Sequence, residues 1–203
     1  LNHGPNGAGF EICTRCGFGR PAGGRPAGGK KAAAGSSAHV APRTGRSCDG
    51  YLKAYHLAHD FMTDVLELQI GGPLALSDAN EADKSTWLSV LYALLEGASA
   101  ALEIRRTDLN GTLYLSHGTG VPILVLYDDV PGGAGHVRRV AEELPAVFAA
   151  ALARVESCSC GPETACHECL WNYYNQPHHA RLSRGRAAEF LRLALAGGDD
   201  HRS

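Results

Sequence analysis

Long apolar runs are missing from this sequence. Stretches such as Pro122–Leu126 fall far short of the roughly 20 residues that a membrane helix requires, so no membrane partner is expected. There is no Gly-x-x-x-x-Gly-Lys-Ser/Thr and no Asp-Glu-x-His. The chain alone is therefore expected not to be an enzyme that hydrolyses ATP. Charge of one sign is also lacking: 19 basic and 21 acidic residues leave a net charge of −2, which excludes a histone-like binder. Methionine occurs once, at Met62, and the opening Leu-Asn-His-Gly-Pro-Asn-Gly has neither the basic nor the apolar part of a targeting peptide. The chain reads as the C-terminal piece of something longer, and a cytoplasmic location is expected.

What is present begins with 203 residues, 44% of them hydrophobic. That is enough for one large domain or two small ones with a packed core. The charge is unevenly spread. Residues 1–60 carry eight Lys and Arg against three acids, whereas residues 61–110 carry three against eight. From Gly17 to Ser37 the chain contains two copies of Gly-Arg-Pro-Ala-Gly and no aliphatic larger than Ala. No core can form from it, so it reads as a disordered insertion inside an N-terminal Cys/His segment, residues 1–54. Residues 55–203 read as a second domain.

Seven cysteines, an odd number in tight local groups, make a poor disulfide framework and a good metal framework. Cys158-Ser-Cys160 and Cys166-His-Glu-Cys169 place four thiolates within twelve residues, joined by a Gly-Pro turn. Zinc takes four soft ligands at tetrahedral corners about 2.3 Å away, and two close pairs can supply them. An iron–sulfur cluster uses the same ligands and is the competitor. His167 is superfluous once four thiolates bind. Cys13-Thr-Arg-Cys16-Gly is half of a second knuckle, and His39 and Cys48 beyond the insertion are candidates for its other half. One zinc is expected at the first set and a second at Cys13, Cys16, His39 and Cys48.

The remaining pattern predicts α+β (or α/β): a mixed sheet covered by helices, with the C-terminal Cys knuckle. Leu57–Ile70 reads as a strand ending at Gly71-Gly72-Pro73. Asp83 or Ser85 is expected to cap a long helix, whose Trp87, Val90, Leu91, Leu94, Leu95, Ala98 and Leu102 recur at three and four. Residues 103–109 and 112–116 read as strands joined by a hairpin turn at Asn110-Gly111. Pro122–Tyr127 reads as a central strand. A helix begins near Val137, restarts near Pro145 and runs into the knuckle. Short and final helices are expected at 168–174 and 184–196. Pro131-Gly-Gly-Ala-Gly135 is either a sharp strand-to-helix reversal or an anion cradle at a helix start.

Several spaced motifs carry a family resemblance. Thr63-Asp-Val-Leu66, the run Ser89–Ala98, Asp108-Leu109, Leu126-Tyr-Asp128 with Pro131–Gly135, and Cys158-x-Cys160…Cys166-x-x-Cys169-Leu170 resemble the MrfA-like zinc-binding domain over about residues 55–185. That domain lies at the C-terminus of certain superfamily 2 DEAD/DEAH-box helicases and in the DrmB component of the DISARM anti-phage system. The resemblance implies an accessory module for DNA repair or defence, with Cys158, Cys160, Cys166 and Cys169 as zinc ligands. It also implies a helicase motor as partner, in cis or in trans, and single-stranded DNA. The Gly-rich insertion departs from the family pattern.

Two further expectations concern chemistry. Trp171, Tyr173, Tyr174, Arg181, Arg184 and Arg186 follow the knuckle. Rings stack on bases and Arg contacts phosphates, so the three arginines are the candidate nucleic-acid residues. The alternative function is a metal-dependent nuclease or phosphoesterase built from His59, Asp64, Asp128, Asp129 and His136, which requires those groups to converge on one ion.

Overall fold

The computed structural model describes residues 2–4, 7–22, 38–71, 81–115 and 122–198. The chain divides into two compact units, Leu1–Asp60 and Phe61–Ser203.

In the first unit, β1 (Phe10–Cys13) lies between β2 (Gly19–Pro21) and β5 (Leu52–Tyr55), antiparallel to both. A separate hairpin pairs β3 (His39–Val40) with β4 (Ser47–Cys48). The expected insertion therefore begins later than Gly17. Glu11 opposite Arg20 is an ion pair at 2.7 Å, and this pairing draws 19–21 into the sheet. Residues 23–37 lie outside the described residues. The buried hydrophobic cluster here is small: Cys13, Ala41 and Cys48, flanked by Cys16, Phe18 and Leu52.

The second unit is α+β, as expected, and all described strand pairs are antiparallel. Its strands are β6 (Val65–Gln69), β7 (Leu109–Leu115) and β8 (Pro122–Asp128), with β8 in the centre. Among the described residues four α-helices accompany them: α1 (Glu81–Leu102), α2 (His136–Glu142), α3 (Leu144–Ser157) and α4 (Arg184–Gly198). The predicted central strand and the restart at Pro145 are both present. The apolar periodicity predicts a buried helix for α1, and Trp87 to Leu95 is buried without a break, because the sheet covers one side and α3 and α4 cover the other. At Gly97, α3 comes so close that an added Cβ would sit 2.6 Å from the Val147 carbonyl oxygen.

Four local expectations are corrected. The strand expected over 57–70 is confined to Val65–Gln69: Leu57 makes only an isolated bridge with Asn2, and Thr63 is held by its hydroxyl on the Asp128 carbonyl. Asn110-Gly111 is no hairpin turn: both residues lie inside β7, opposite Tyr127 and Leu126. Glycine gives α1 close access there: a Cβ would lie 2.8 Å from Leu91 Cδ1 of α1 and 3.0 Å from the Val125 carbonyl oxygen, so a larger residue must shift the leucine. Helix α1 begins at Glu81, so any cap lies outside the described residues, and Ser85 instead donates to the Arg181 carbonyl. The short helix expected at 168–174 is a turn followed by a 3-10 segment, Tyr173–Arg181. Asn172 starts that segment by accepting from the Tyr174 and Asn175 amides.

Candidate metal centres

The C-terminal knuckle is built from where α3 stops. Cys158 caps the helix in an extended conformation and turns its chain outward. Cys160 follows, Gly161–Thr164 reverses direction, and the amides of Cys169, Leu170 and Trp171 all reach the Cys166 carbonyl. The four sulfurs converge. Cys158 Sγ lies 3.5 Å from Cys160 Sγ and 3.4 Å from Cys166 Sγ, and Cys169 Sγ lies 3.8 Å and 4.0 Å from Cys160 Sγ and Cys166 Sγ. Thiolates at the corners of a zinc tetrahedron stand about 3.8 Å apart at ligand distances of 2.3 Å. The donor set fits.

The knuckle is clamped from behind. Arg154 of α3 donates to the Cys169 carbonyl at 2.8 Å, while Glu96 of α1 holds the same arginine at 3.2 Å. Arg184 of α4 donates to the carbonyls of Cys160 at 2.6 Å and Val155 at 3.2 Å. Gly185 packs so tightly on Pro162 that a Cβ would fall 2.8 Å from its carbonyl oxygen. Cys169 and Leu170 belong to the main hydrophobic core, so the site and the fold share one packing unit.

The N-terminal set converges as well. Cys13 Sγ is 3.9 Å from Cys48 Sγ, and Cys16 Sγ is 3.1 Å from His39 Nε2. Within each of the two sets all four donor atoms lie within 4.8 Å of one another. Gly17, at φ +75°, lets the chain turn beneath Cys13, and Phe18 stacks on His39 with ring centres 4.7 Å apart. β-pairing puts His39 directly opposite Cys48. Gly50 is a residue that sequence reasoning missed. A Cβ there would meet Cys13 Sγ at 2.6 Å, so only glycine passes the sulfurs.

Residues 90–170 match the model of the MrfA Zn-binding domain. The chain contains an MrfA-like zinc-binding domain. Druantia protein DruE of Escherichia coli (strain UMEA 4076-1) is 33% identical over 219 residues, which take in 97% of this chain and 11% of that protein. The crystal structure of the DUF1998 helicase MrfA bound to DNA superposes with a TM-score of 0.53 at 20% identity, over 74% of this chain and 19% of that one. At that identity the likeness is one of fold. The chain thus spans a small part of either relative. The matched family is a zinc-binding one.

Most other candidate residues lie in the second unit, Phe61–Ser203. Asp128 is fully buried, and its carboxylate accepts the amides of Ala134, His136 and Val137 at 2.6–3.1 Å. The Gly-rich turn therefore cradles an anion of its own chain. Asp64 pairs with Arg138 at 3.1 Å. Among the described residues, no metal-holding group of His, Cys, Asp or Glu draws on His59, Asp64, Asp128, Asp129 or His136. Arg186 reaches the Ala82 carbonyl at 3.3 Å, and Arg184 is turned to the knuckle. Of the rings, Trp171 stacks flat on His179 at 4.5 Å against the core, whereas Tyr173 and Tyr174 are 77% and 62% exposed. Among the described residues no helix is long and apolar enough to cross a membrane.

Electrostatics sets how the thiols yield their protons. The amide of Cys160 lowers Cys158 to about 7 against the opposing effect of burial. Burial raises Cys169 to about 12, and burial also raises Cys160. At Cys13 burial acts upward, but the amides of Cys16 and Arg15 outweigh it and bring the thiol to about 6. Zinc binds thiolates, so Cys160 and Cys169 must each release a proton that they hold at neutral pH. Affinity at this knuckle is therefore expected to weaken as pH falls, about tenfold per pH unit for each proton released, so these two thiols alone give at least about 100-fold from pH 8 to pH 7. Calorimetric titration in buffers of different ionisation enthalpy counts the protons. A pH-independent affinity across that window would contradict the assignment.

Proposed function

We propose that this chain is the zinc-bearing accessory part of a superfamily 2 helicase-type protein. It acts in the cytoplasm, in DNA repair or anti-phage defence, and helps its motor engage single-stranded DNA. The motor itself is supplied in cis or in trans, and this chain does not hydrolyse ATP. The observation carrying this reading is the convergence of four knuckle sulfurs inside the segment that matches the MrfA Zn-binding domain. Cys158, Cys160, Cys166 and Cys169 hold one zinc as a structural site. Cys13, Cys16, His39 and Cys48 hold a second in the N-terminal segment. A domain whose chain reverses are pinned by metal presents a rigid surface without needing a large core.

Arg181 and Arg186 are the phosphate contacts, and exposed Tyr173 and Tyr174 lie within the same stretch of chain as stacking platforms. Arg184 supports this surface by holding the Cys160 carbonyl. Two measurements test the reading. Elemental analysis is expected to find two zinc ions per chain. A double Arg181→Ala/Arg186→Ala variant is expected to bind single-stranded DNA more weakly, with a log K–log salt slope shallower by about 1.4, two single-strand phosphate contacts. Unchanged affinity and slope would remove DNA from this face.

A further inference from the structure

A cavity of about 290 Å³ lies between α1, β7 and the 3-10 segment Tyr173–Arg181. That is near the lower end of pockets that take small organic groups, about 300–1,000 Å³. Leu88, Leu91 and Leu113 give it an apolar floor, and Lys84, His178 and Arg181 bring nitrogen groups to its wall. Among the described residues no carboxylate lines it. Tyr92 is a buried ring of the same wall, with its centre 6.1 Å from that of His178. Gly111 also lines the cavity, so the close approach of α1 to β7 that this glycine permits helps to shape it. Neither zinc set contributes a residue.

We propose that this cavity is a nucleotide pocket: one base of a single strand is turned out of its stack onto the Leu88–Leu91–Leu113 floor beside Tyr92 and His178, with its phosphate at Lys84 and Arg181. The proposal rests on the DNA reading above and adds a specific place for a base. The chemistry of the wall selects the ligand. An apolar floor edged by cations suits a flat, uncharged ring on an anionic backbone, and proteins that extrude a base hold it between apolar and aromatic side chains. Tyr173 and Tyr174, on the same 3-10 segment and largely exposed, offer rings for neighbouring bases.

The test uses the full zinc-loaded chain and two fluorescein-labelled probes, a thymidine 12-mer and an abasic 12-mer of the same charge. Thr112 is exposed and lines the cavity, so Thr112→Trp fills it without removing a cation. His178→Ala removes a wall from the other side. Both variants are expected to bind the thymidine 12-mer about tenfold more weakly and the abasic 12-mer as the parent does. Zinc content and melting of each variant report whether it is folded, and either folded variant suffices. If both folded variants bind the thymidine 12-mer like the parent, the pocket is not a base site, while salt-dependent binding by the parent leaves the broader DNA reading intact. If the parent binds neither probe, both readings fall. Loss of an acidic Phe-containing peptide in Thr112→Trp, with DNA binding unchanged, would overturn the proposal in favour of a protein partner.

Discussion

Cys166→Ser is expected to leave one zinc ion per chain and to melt the structure from about residue 155 to 180. Structural zinc contributes an apparent ~10–16 kcal/mol in small zinc-dependent units, as much as the whole stability of a typical domain. Here the loss would spread. Cys158, Cys169 and Leu170 are buried members of the main core, and the knuckle's carbonyls occupy Arg154 and Arg184. Once the sulfurs separate, both arginines lose backbone acceptors and α4 loses the Pro162 loop on which it begins. Hydrogen exchange is the measurement: amides 166–171 and the start of α4 should lose protection. Full zinc occupancy with undiminished protection would refute the assignment. Chelation should act differently on the first unit. Among its described residues, two of the three buried hydrophobic ones, Cys13 and Cys48, are also metal-site residues. With so little other apolar burial, that unit is expected to unfold as a whole when the metal is removed.

Gly97→Val is expected to be the most damaging substitution away from metal. A Cβ at this position meets the Val147 carbonyl oxygen at 2.6 Å, the Ala151 amide nitrogen at 2.7 Å and the Ala151 Cβ at 2.8 Å. Two of these are backbone atoms, so no side-chain rotation relieves the overlap, and α1 and α3 must move apart. Separating them opens the core at Leu94, Leu95 and Val147. Overpacking of this kind costs roughly 3 kcal/mol or more, a fall in Tm of roughly 6–12 °C for a chain of this size. Denaturant unfolding with zinc in excess measures it. Gly197→Ala is the control: it also lies in a helix, but a Cβ there meets nothing within 4 Å. That change should be neutral or slightly stabilising. Equal effects at both positions would show that α1 and α3 do not pack as closely as the structure has them.

Much of the metal chemistry was readable before any fold was known. Cys158-x-Cys160 and Cys166-x-x-Cys169 are local, and a few residues of chain can bring four sulfurs together with little freedom to do otherwise. The second set was readable for a different reason: Cys48 is the one cysteine outside Cys13-x-x-Cys16 and the knuckle, and His39 is the histidine just beyond the insertion, so both were candidates to complete that pair. The hairpin at Asn110-Gly111 misled because Asn-Gly has two uses. It favours a tight turn, but a glycine also admits a neighbouring helix, and nothing local separates the two cases. The candidate nucleic-acid residues divided for a similar reason. Arg184 is next to Arg181 and Arg186 in the chain, yet carbonyls from residues 155 and 160 claim its guanidinium.

The sequence by itself determined which residues are chemically able to bind zinc, that α1 is a long apolar helix, and that β8 is a central strand. These follow from spacing, periodicity and donor type, which act over a few residues. Only the tertiary structure decided the rest. It filled the Gly-rich turn with the Asp128 carboxylate, spent Arg154 and Arg184 on knuckle carbonyls, and reserved Gly50, Gly97 and Gly111 for close approaches to sulfur, helix and sheet. It also opened a cavity between residues as distant as Lys84 and Arg181. Each of these depends on which backbone atoms arrive from far along the chain, and an amide, a carbonyl or a gap looks the same in every sequence until packing puts something beside it.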